Sequence, residues 1–566
     1  MKVLEQALLW LDADTTRFWI LAWATFSLCA FQCLRPLGGP KRPRWSLLLF
    51  AVSVVATMAA FRWPVWFYPL ELNPDESQTV AGAITLARFP VYWKFVDGTT
   101  HGPWSEYLLL LAHWFGAPLN YVTARIITGL LGAGILLAAW GTLRCFTGEA
   151  IARTAILPAL AFWSFTTWDD FVHYSSELPA IFLLAAAGWL GAVLLTAPRW
   201  SKRHLLFAGL TGFFLGNLPF AKLQSVPLGV ALGVVLLWFL WRSNAREDAA
   251  LRQRLMTTLV LGALAPALIA VVFISLFGLW GHFVPAYLLS ALAYVDLRQH
   301  PLAVMPMRFF RFSATEPAFA WFFWGSLGFS LLYLRTPGTE RRLRAGMIVG
   351  WVLLAVAAFC VLRPGREVVH YLQFFLLPLT LLLGFTLAAA ANESEAQDRP
   401  PAFPGRLLLL FLLFTVFPQI YHRTVTWHRF AGHVQTYRNH TPSEAARFIQ
   451  KHRQPDETIA MWGWDSHLLV ETGMPHGTRE SHTASQLTEW PLRHYFTERY
   501  LWDLERRQPA WFVDVVGPGA FIYNDRGAWA HETVPELRQR VNTDFVLVAE
   551  FDHTRIYRRK SVIPPP

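Results

Sequence analysis

The feature that most limits this chain is a series of apolar runs longer than a soluble core needs. Residues 20–34, 46–61, 126–143, 178–195, 259–277, 351–362, 372–391 and 407–417 all lie within such runs. A helix that crosses a bilayer takes roughly 20 mainly apolar residues. Composition supports the same reading. Hydrophobic residues make up 54% of the chain and charged residues 15%, against about 25% charged in a soluble domain.

The basic residues give the runs a direction. Lys and Arg cluster in six connections, at 35–44, 144–153, 199–203, 242–254, 335–344 and 399–406. Short basic loops stay in the cytoplasm. Each interval between them is one excursion of two spans, which predicts about 12 spans with both termini on the far side. The connections 63–103, 167–177, 221–225, 280–317 and 363–370 then fall outside, with everything after 421. Arg298, Arg308, Arg311 and Arg366 lie outside against this trend, which suggests an anionic ligand. Because topology explains the basic loops, the net charge of +11 does not point to nucleic acid. Cys29, Cys33, Cys145 and Cys360 lie in or beside apolar runs, so neither a disulfide framework nor a CxxC metal site is expected. The acidic start, with Glu5, Asp12 and Asp14, does not read as a cleaved signal peptide.

From His422 onward charge and proline rise and the long apolar runs stop. Thr441-Pro442-Ser443-Glu444 predicts a capping box opening a helix that runs to His452. Residues 458–462, 511–516, 545–550 and 554–557 read as strands and 535–541 as a helix. The expected architecture is an α-helical polytopic membrane protein with a C-terminal soluble α/β domain. Its predicted parts are an extra span and basic loop over 1–45, a transmembrane catalytic domain over 46–421 and an extracytoplasmic domain over 422–566.

The first outer connection holds Asp75 and Glu76 ahead of a predicted surface helix at 81–89. Charged groups beside a bilayer are costly unless they face water or a polar cavity, and such a carboxylate can act as a general base. The plainer reading is a solvated loop with Asp75 as a helix cap. The second outer connection packs Asp169, Asp170, His173 and Glu177 between two apolar helices, and the plainer reading there is a polar cap. Lys222, Arg366 and His370 stand at the outer ends of spans. They either snorkel to headgroups or neutralise a phosphate. Arg125 opens a span, where it could pair with a loop acid and keep it ionised. Residues 321–324, Trp-Phe-Phe-Trp, read as an interfacial belt. Asp465 and His467 could be ligands, but no metal-ligand spacing supports that, and they read rather as surface polarity.

Taken in order, these pieces resemble the C-type (GT-C) membrane glycosyltransferases, in particular the protein O-mannosyltransferase and aminoarabinose transferase group. The likeness rests on Asp75-Glu76, His101-Gly102-Pro103, Arg125, an acid at Glu177, Asp169 or Asp170, Lys222 and His370-Tyr371. In the outer domain it rests on Met461-Trp462-Gly463, Thr478-Arg479 and Ile556-Tyr557-Arg558-Arg559. The chain departs from the group in its additional first span and in Gly102-Pro103 where the group often has two prolines. The resemblance implies a polyprenyl-phosphate-linked sugar as donor and a glycan, lipid or protein as acceptor, at the outer face of an inner (plasma) membrane. It makes Asp75, Glu76 and Glu177 the catalytic acids, with Lys222, Arg366 and His370 on the donor phosphate. His101, Arg125, Asp169 and Asp170 would support them. A divalent cation, Mg or Mn, is left open. Two alternatives are a multi-pass transporter or flippase for lipid-linked sugars and a non-catalytic receptor. Transporters more often place polar breaks at the bilayer midplane, whereas these acids cluster in outer connections.

Overall fold

In lipid a backbone must satisfy its own polar groups, and a helix does so along its whole length. The computed structural model describes residues 2–38, 45–243, 249–335, 339–395, 405–425, 436 and 438–562. Parts of four basic connections, 39–44, 244–248, 336–338 and 399–404, lie outside the described residues, as does the terminal 564–566.

Among the described residues nine helices are long and apolar enough to cross a membrane, or ten if the bent pair Gly405–Thr415 and Phe417–Thr424 is one span. The predicted twelve is reached only by adding two weaker pieces. One is the 16-residue helix Pro317–Leu332. The other is Glu149–Ala155 followed by Leu157–Phe165, where Pro158 denies the ladder a donor at the junction.

The chain divides into two compact units. The first comprises 1–67, 128–273 and 298–435; the second comprises 68–127, 274–297 and 436–566. In the first, aromatic side chains fill the space between helices. Phe162, Phe171, Phe319 and Phe322 pack with ring centroids 5.1–5.7 Å apart. The expected belt at 321–324 is split by this packing. Phe322 and Phe323 are buried, while Trp321 points outward.

The second unit is built on a four-stranded sheet: β1 (Ile459–Trp462), β2 (Trp511–Asp514), β3 (Phe545–Phe551) and β4 (Thr554–Arg559). Its order is β1-β2-β4-β3. β1 and β2 are parallel, and β4 runs antiparallel to both β2 and β3. Strand side chains alternate between faces. Ile459, Met461, Trp511 and Val513 therefore pack with Ile449, Leu468 and Leu469 on one side. Ala460, Trp462 and Phe512 pack with Tyr500, Leu504, Leu537 and Val541 on the other. All four predicted strands and the helix Pro535–Asp544 are present. The cap of the helix Glu444–His452 is Ser443 rather than Thr441, because the Ser443 hydroxyl accepts from the Ala446 amide at 3.2 Å.

Candidate active site

In the first unit three helix ends supply one buried polar cluster. Glu177 is the first residue of Glu177–Thr196, Lys222 caps the end of Lys202–Ala221, and His370 lies in the turn Val369–Phe375. A carboxylate at a helix N-terminus and an ammonium at a C-terminus both oppose the local helix dipole favourably. Lys222 Nζ is 2.6 Å from Glu177 Oε1 and donates to Ser176 Oγ at 2.8 Å. His370 Nε2 is 3.9 Å from the same Glu177 oxygen, and its Nδ1 is 3.2 Å from Asp170 Oδ1. Gln373 donates to Ser175 Oγ at 3.1 Å and to the Asp170 carbonyl at 3.4 Å. Lys222 also lies 5.2 Å from the centre of the Tyr371 ring. An ammonium has three protons to donate. Among the described residues Glu177 and Ser176 account for two of them.

Burial pushes Asp170 up, but its hydrogen bond to His370 and the charges of His370 and His173 outweigh that and hold it below the usual carboxylate range. Asp169 acts here through its backbone, its carbonyl meeting His173 Nδ1 at 2.9 Å. A carbonyl only accepts, so His173 Nδ1 carries a proton, and among the described residues its buried Nε2 has no hydrogen-bond partner. The sequence reading quoted His173 and gave it no role. Its ring lies 5.5 Å from that of His370. Arg366 is half-buried on the connection leading to His370.

The second unit holds the connection predicted to be the first outer one. Helix Pro74–Arg88 begins seven residues before the predicted 81–89, and Asn73, not Asp75, caps it by accepting from the Asp75 amide at 2.9 Å. Asp75 and Glu76 thus stand in its first turn. Glu76 is fully buried and held by Arg125 through two contacts, Nε to Oε1 at 3.0 Å and Nη2 to Oε2 at 2.7 Å. The same guanidinium donates to the carbonyls of Tyr68 and Leu70, both at 2.6 Å. Arg125 therefore fastens a loop around Glu76. His101 Nε2 lies 2.6 Å from Glu106 Oε1, and its Nδ1 lies 3.0 Å from the Thr100 hydroxyl. Glu106 went unnoticed in the sequence; the available signal was an acid in the first turn of an otherwise apolar helix, Trp104–Trp114.

A chain of polar contacts runs from Glu71 through Ser77, Tyr121 and His467 to Glu471. Ser77 donates to Glu71 and lies 2.7 Å from the Tyr121 hydroxyl, which is 2.7 Å from His467 Nδ1. His467 Nε2 is 3.3 Å from Glu471. Burial lowers the His467 pKa, but Glu471, Asp465 and Glu71 together raise it above the usual value. Burial lifts Glu71 above the usual carboxylate range. Asp465 caps Ser466–Thr472 through the Leu468 amide. The expectation of surface polarity for Asp465 and His467 is corrected by these internal contacts. Near Asp75, burial depresses His482 to about 4 although the charges of Asp75 and Glu480 favour its protonation.

Among the described residues one group of three candidate metal ligands converges, Asp514, His531 and Glu532. Arg526 lies 3.1 Å from Asp514 and 3.2 Å from Glu532, so a guanidinium already supplies the cation there. Lys222 does the same at Glu177. Neither arrangement fits a divalent ion.

No family model matches the chain, and no curated protein matches it in sequence. Its fold resembles that of two solved structures of one protein, ArnT. The solved structure of ArnT from Cupriavidus metallidurans bound to undecaprenyl phosphate superposes with a TM-score of 0.54 at 14% identity, covering 93% of this chain and 100% of that one. The apo structure of the same ArnT gives 0.52 at 15% identity, covering 92% and 99%.

Proposed function

We propose that this chain is a glycosyltransferase that takes a sugar from a polyprenyl-phosphate donor and transfers it, with inversion, to a hydroxyl group of a glycan, lipid or protein. The observation that carries this reading is the buried Glu177–Lys222–His370–Asp170 cluster, set at helix ends in a fold like that of a protein solved with undecaprenyl phosphate. A donor with a polyprenol tail stays in the bilayer, so the groups that receive its phosphate belong at the ends of spanning helices. A transporter's polar breaks would sit nearer mid-helix.

In the proposed reaction the acceptor oxygen forms a bond to the anomeric carbon while the bond from that carbon to the phosphate oxygen breaks. The electron pair leaves with the phosphate. Lys222 and His370 offset the charge that grows there, and Arg366 adds to the positive field. Glu177 fixes Lys222, and Asp170 fixes the His370 ring. Asp75 receives the acceptor proton. Glu76, held on both oxygens by Arg125, organises the loop that carries Asp75. The site is assigned to the extracytoplasmic side of the inner (plasma) membrane because the basic connections alternate with these helix ends.

The test is sugar transfer by purified protein from a polyprenyl-phosphate-linked donor, wild type against Asp75→Asn. Loss of turnover in a variant that melts like the wild type is expected. Full turnover in that variant would remove Asp75 from the reaction.

A further inference from the structure

A second group of unmet donors lies in the first unit, away from the cluster just described. The helix Pro317–Leu332 ends and Arg341–Leu362 begins beside a cavity of about 350 Å³ lined by Leu334, Arg335, Thr339, Arg344, Met347, Ile348 and Trp351. Arg344, Met347, Ile348 and Trp351 follow the i, i+3, i+4, i+7 spacing that places side chains on one helix face. At about 1.5 Å per residue the lining therefore extends roughly 10 Å along the helix, from a charged rim to an indole. Among the described residues the side chains of Arg335 and Arg344 make no ion pair or hydrogen bond, and the Trp351 Nε1 is buried without an acceptor. The neighbouring Arg342 is engaged elsewhere, donating to the Cys145 carbonyl at 3.1 Å and lying over the Phe146 ring.

Guanidinium and indole groups only donate. The occupant that completes them must be anionic and rich in acceptors at one end. The apolar lining of Leu334, Met347 and Ile348 requires a hydrocarbon portion at the other. A free phosphate satisfies the first condition alone. Basic pockets between helices on the cytoplasmic side of a bilayer meet both conditions with lipid headgroups, and 335–344 is one of the six basic connections. We propose that this cavity binds one anionic glycerophospholipid. Its phosphodiester sits between Arg335 and Arg344, its ester group reaches the Trp351 N–H, and an acyl chain lies along Leu334, Met347 and Ile348.

The test is native mass spectrometry of the full chain in detergent, titrated with palmitoyl-oleoyl phosphatidylglycerol and, separately, with the matching phosphatidylcholine. The expected result is a single saturable adduct with phosphatidylglycerol, weakened at least about tenfold in Arg335→Gln/Arg344→Gln. The control Arg341→Gln/Arg342→Gln removes the same charge outside the cavity and is expected to leave the adduct in place. Ile348→Trp keeps both arginines, fills the apolar part and is expected to weaken it. Melting temperature confirms that each variant is folded. Equal losses in the two double variants would show diffuse attraction and overturn the site. So would equal binding of phosphatidylcholine, displacement by inorganic phosphate, or equal competition by oleate or undecaprenyl phosphate.

Discussion

Two buried carboxylates, one in each unit, show how differently the same chemistry can be used. Glu76 is enclosed by Arg125, and neither side chain reaches solvent. Arg125 also donates to the Tyr68 and Leu70 carbonyls. Glu177 is equally buried, but its partner Lys222 also donates to Ser176, and His370 and Asp170 extend the network. The first arrangement is closed and holds a loop in shape. The second gathers Lys222 and His370 at helix ends, as expected of groups that receive an anionic ligand. Burial is the same for the two carboxylates; what differs is the network around each cation.

The largest expected effect comes from opening the closed pair. Arg125→Met leaves Glu76 as an uncompensated buried charge, which costs about 3–5 kcal/mol. A chemical or thermal melt should show that loss, while turnover per folded molecule falls less than in Lys222→Gln, because only the loop that carries Asp75 is loosened. If activity collapsed at unchanged stability, the division drawn between the two carboxylates would fail.

Lys222→Gln attacks the open network. Removing a donor that stabilises developing charge typically costs about 10²–10³ in rate, so transfer per folded molecule should fall by that factor, beyond the loss of stability that comes from leaving Glu177 without its buried cation. Arg366→Gln should lower transfer less, because Arg366 is only half-buried.

The His467 contact sharpens the comparison through pH. Its pKa is raised in the folded state by Glu471, Asp465 and Glu71 against the opposing effect of burial. The resulting stabilisation is fully present below the ordinary His value of 6.5. It is lost as pH rises through the folded-state value. Melting curves on both sides of neutrality should show wild type losing more stability on the alkaline side than His467→Gln. Parallel curves would remove His467 from the network. The smallest expected effect is that of a chelator. Because Lys222 and Arg526 supply the cations at their acidic groups, transfer should continue in EDTA; a loss restored by added Mg or Mn would show a metal requirement.

Much of the fold was legible because its signals are local. Apolar runs mark the helices, and continuous runs such as Trp511 to Val513 mark buried strands. The six basic connections fix the alternation even where Pro158 breaks a helix. Polar residues at span ends, Glu177, Lys222 and His370, were legible because charge beside lipid is expensive. What remained hidden depends on contacts distant in sequence. Tyr121 and His467 are 346 residues apart, and Asp97 and Arg499 are 402 apart. Nothing near either residue announces its partner. The change in composition at residue 422 likewise does not reveal that 68–127 and 274–297 group with 436–566. The misplaced cap has a simpler cause. Thr441 and Ser443 are chemically alike, and only the backbone decides which hydroxyl meets the Ala446 amide.

The central claim is that the helix-end cluster around Lys222 receives a lipid phosphate. Its most direct test is the binding of undecaprenyl phosphate to the full-length protein, compared between wild type and a Lys222→Gln variant shown by melting to be folded. The account predicts one saturable site in the wild type and at least about tenfold weaker binding in the variant. Equal affinity in the two proteins would contradict it.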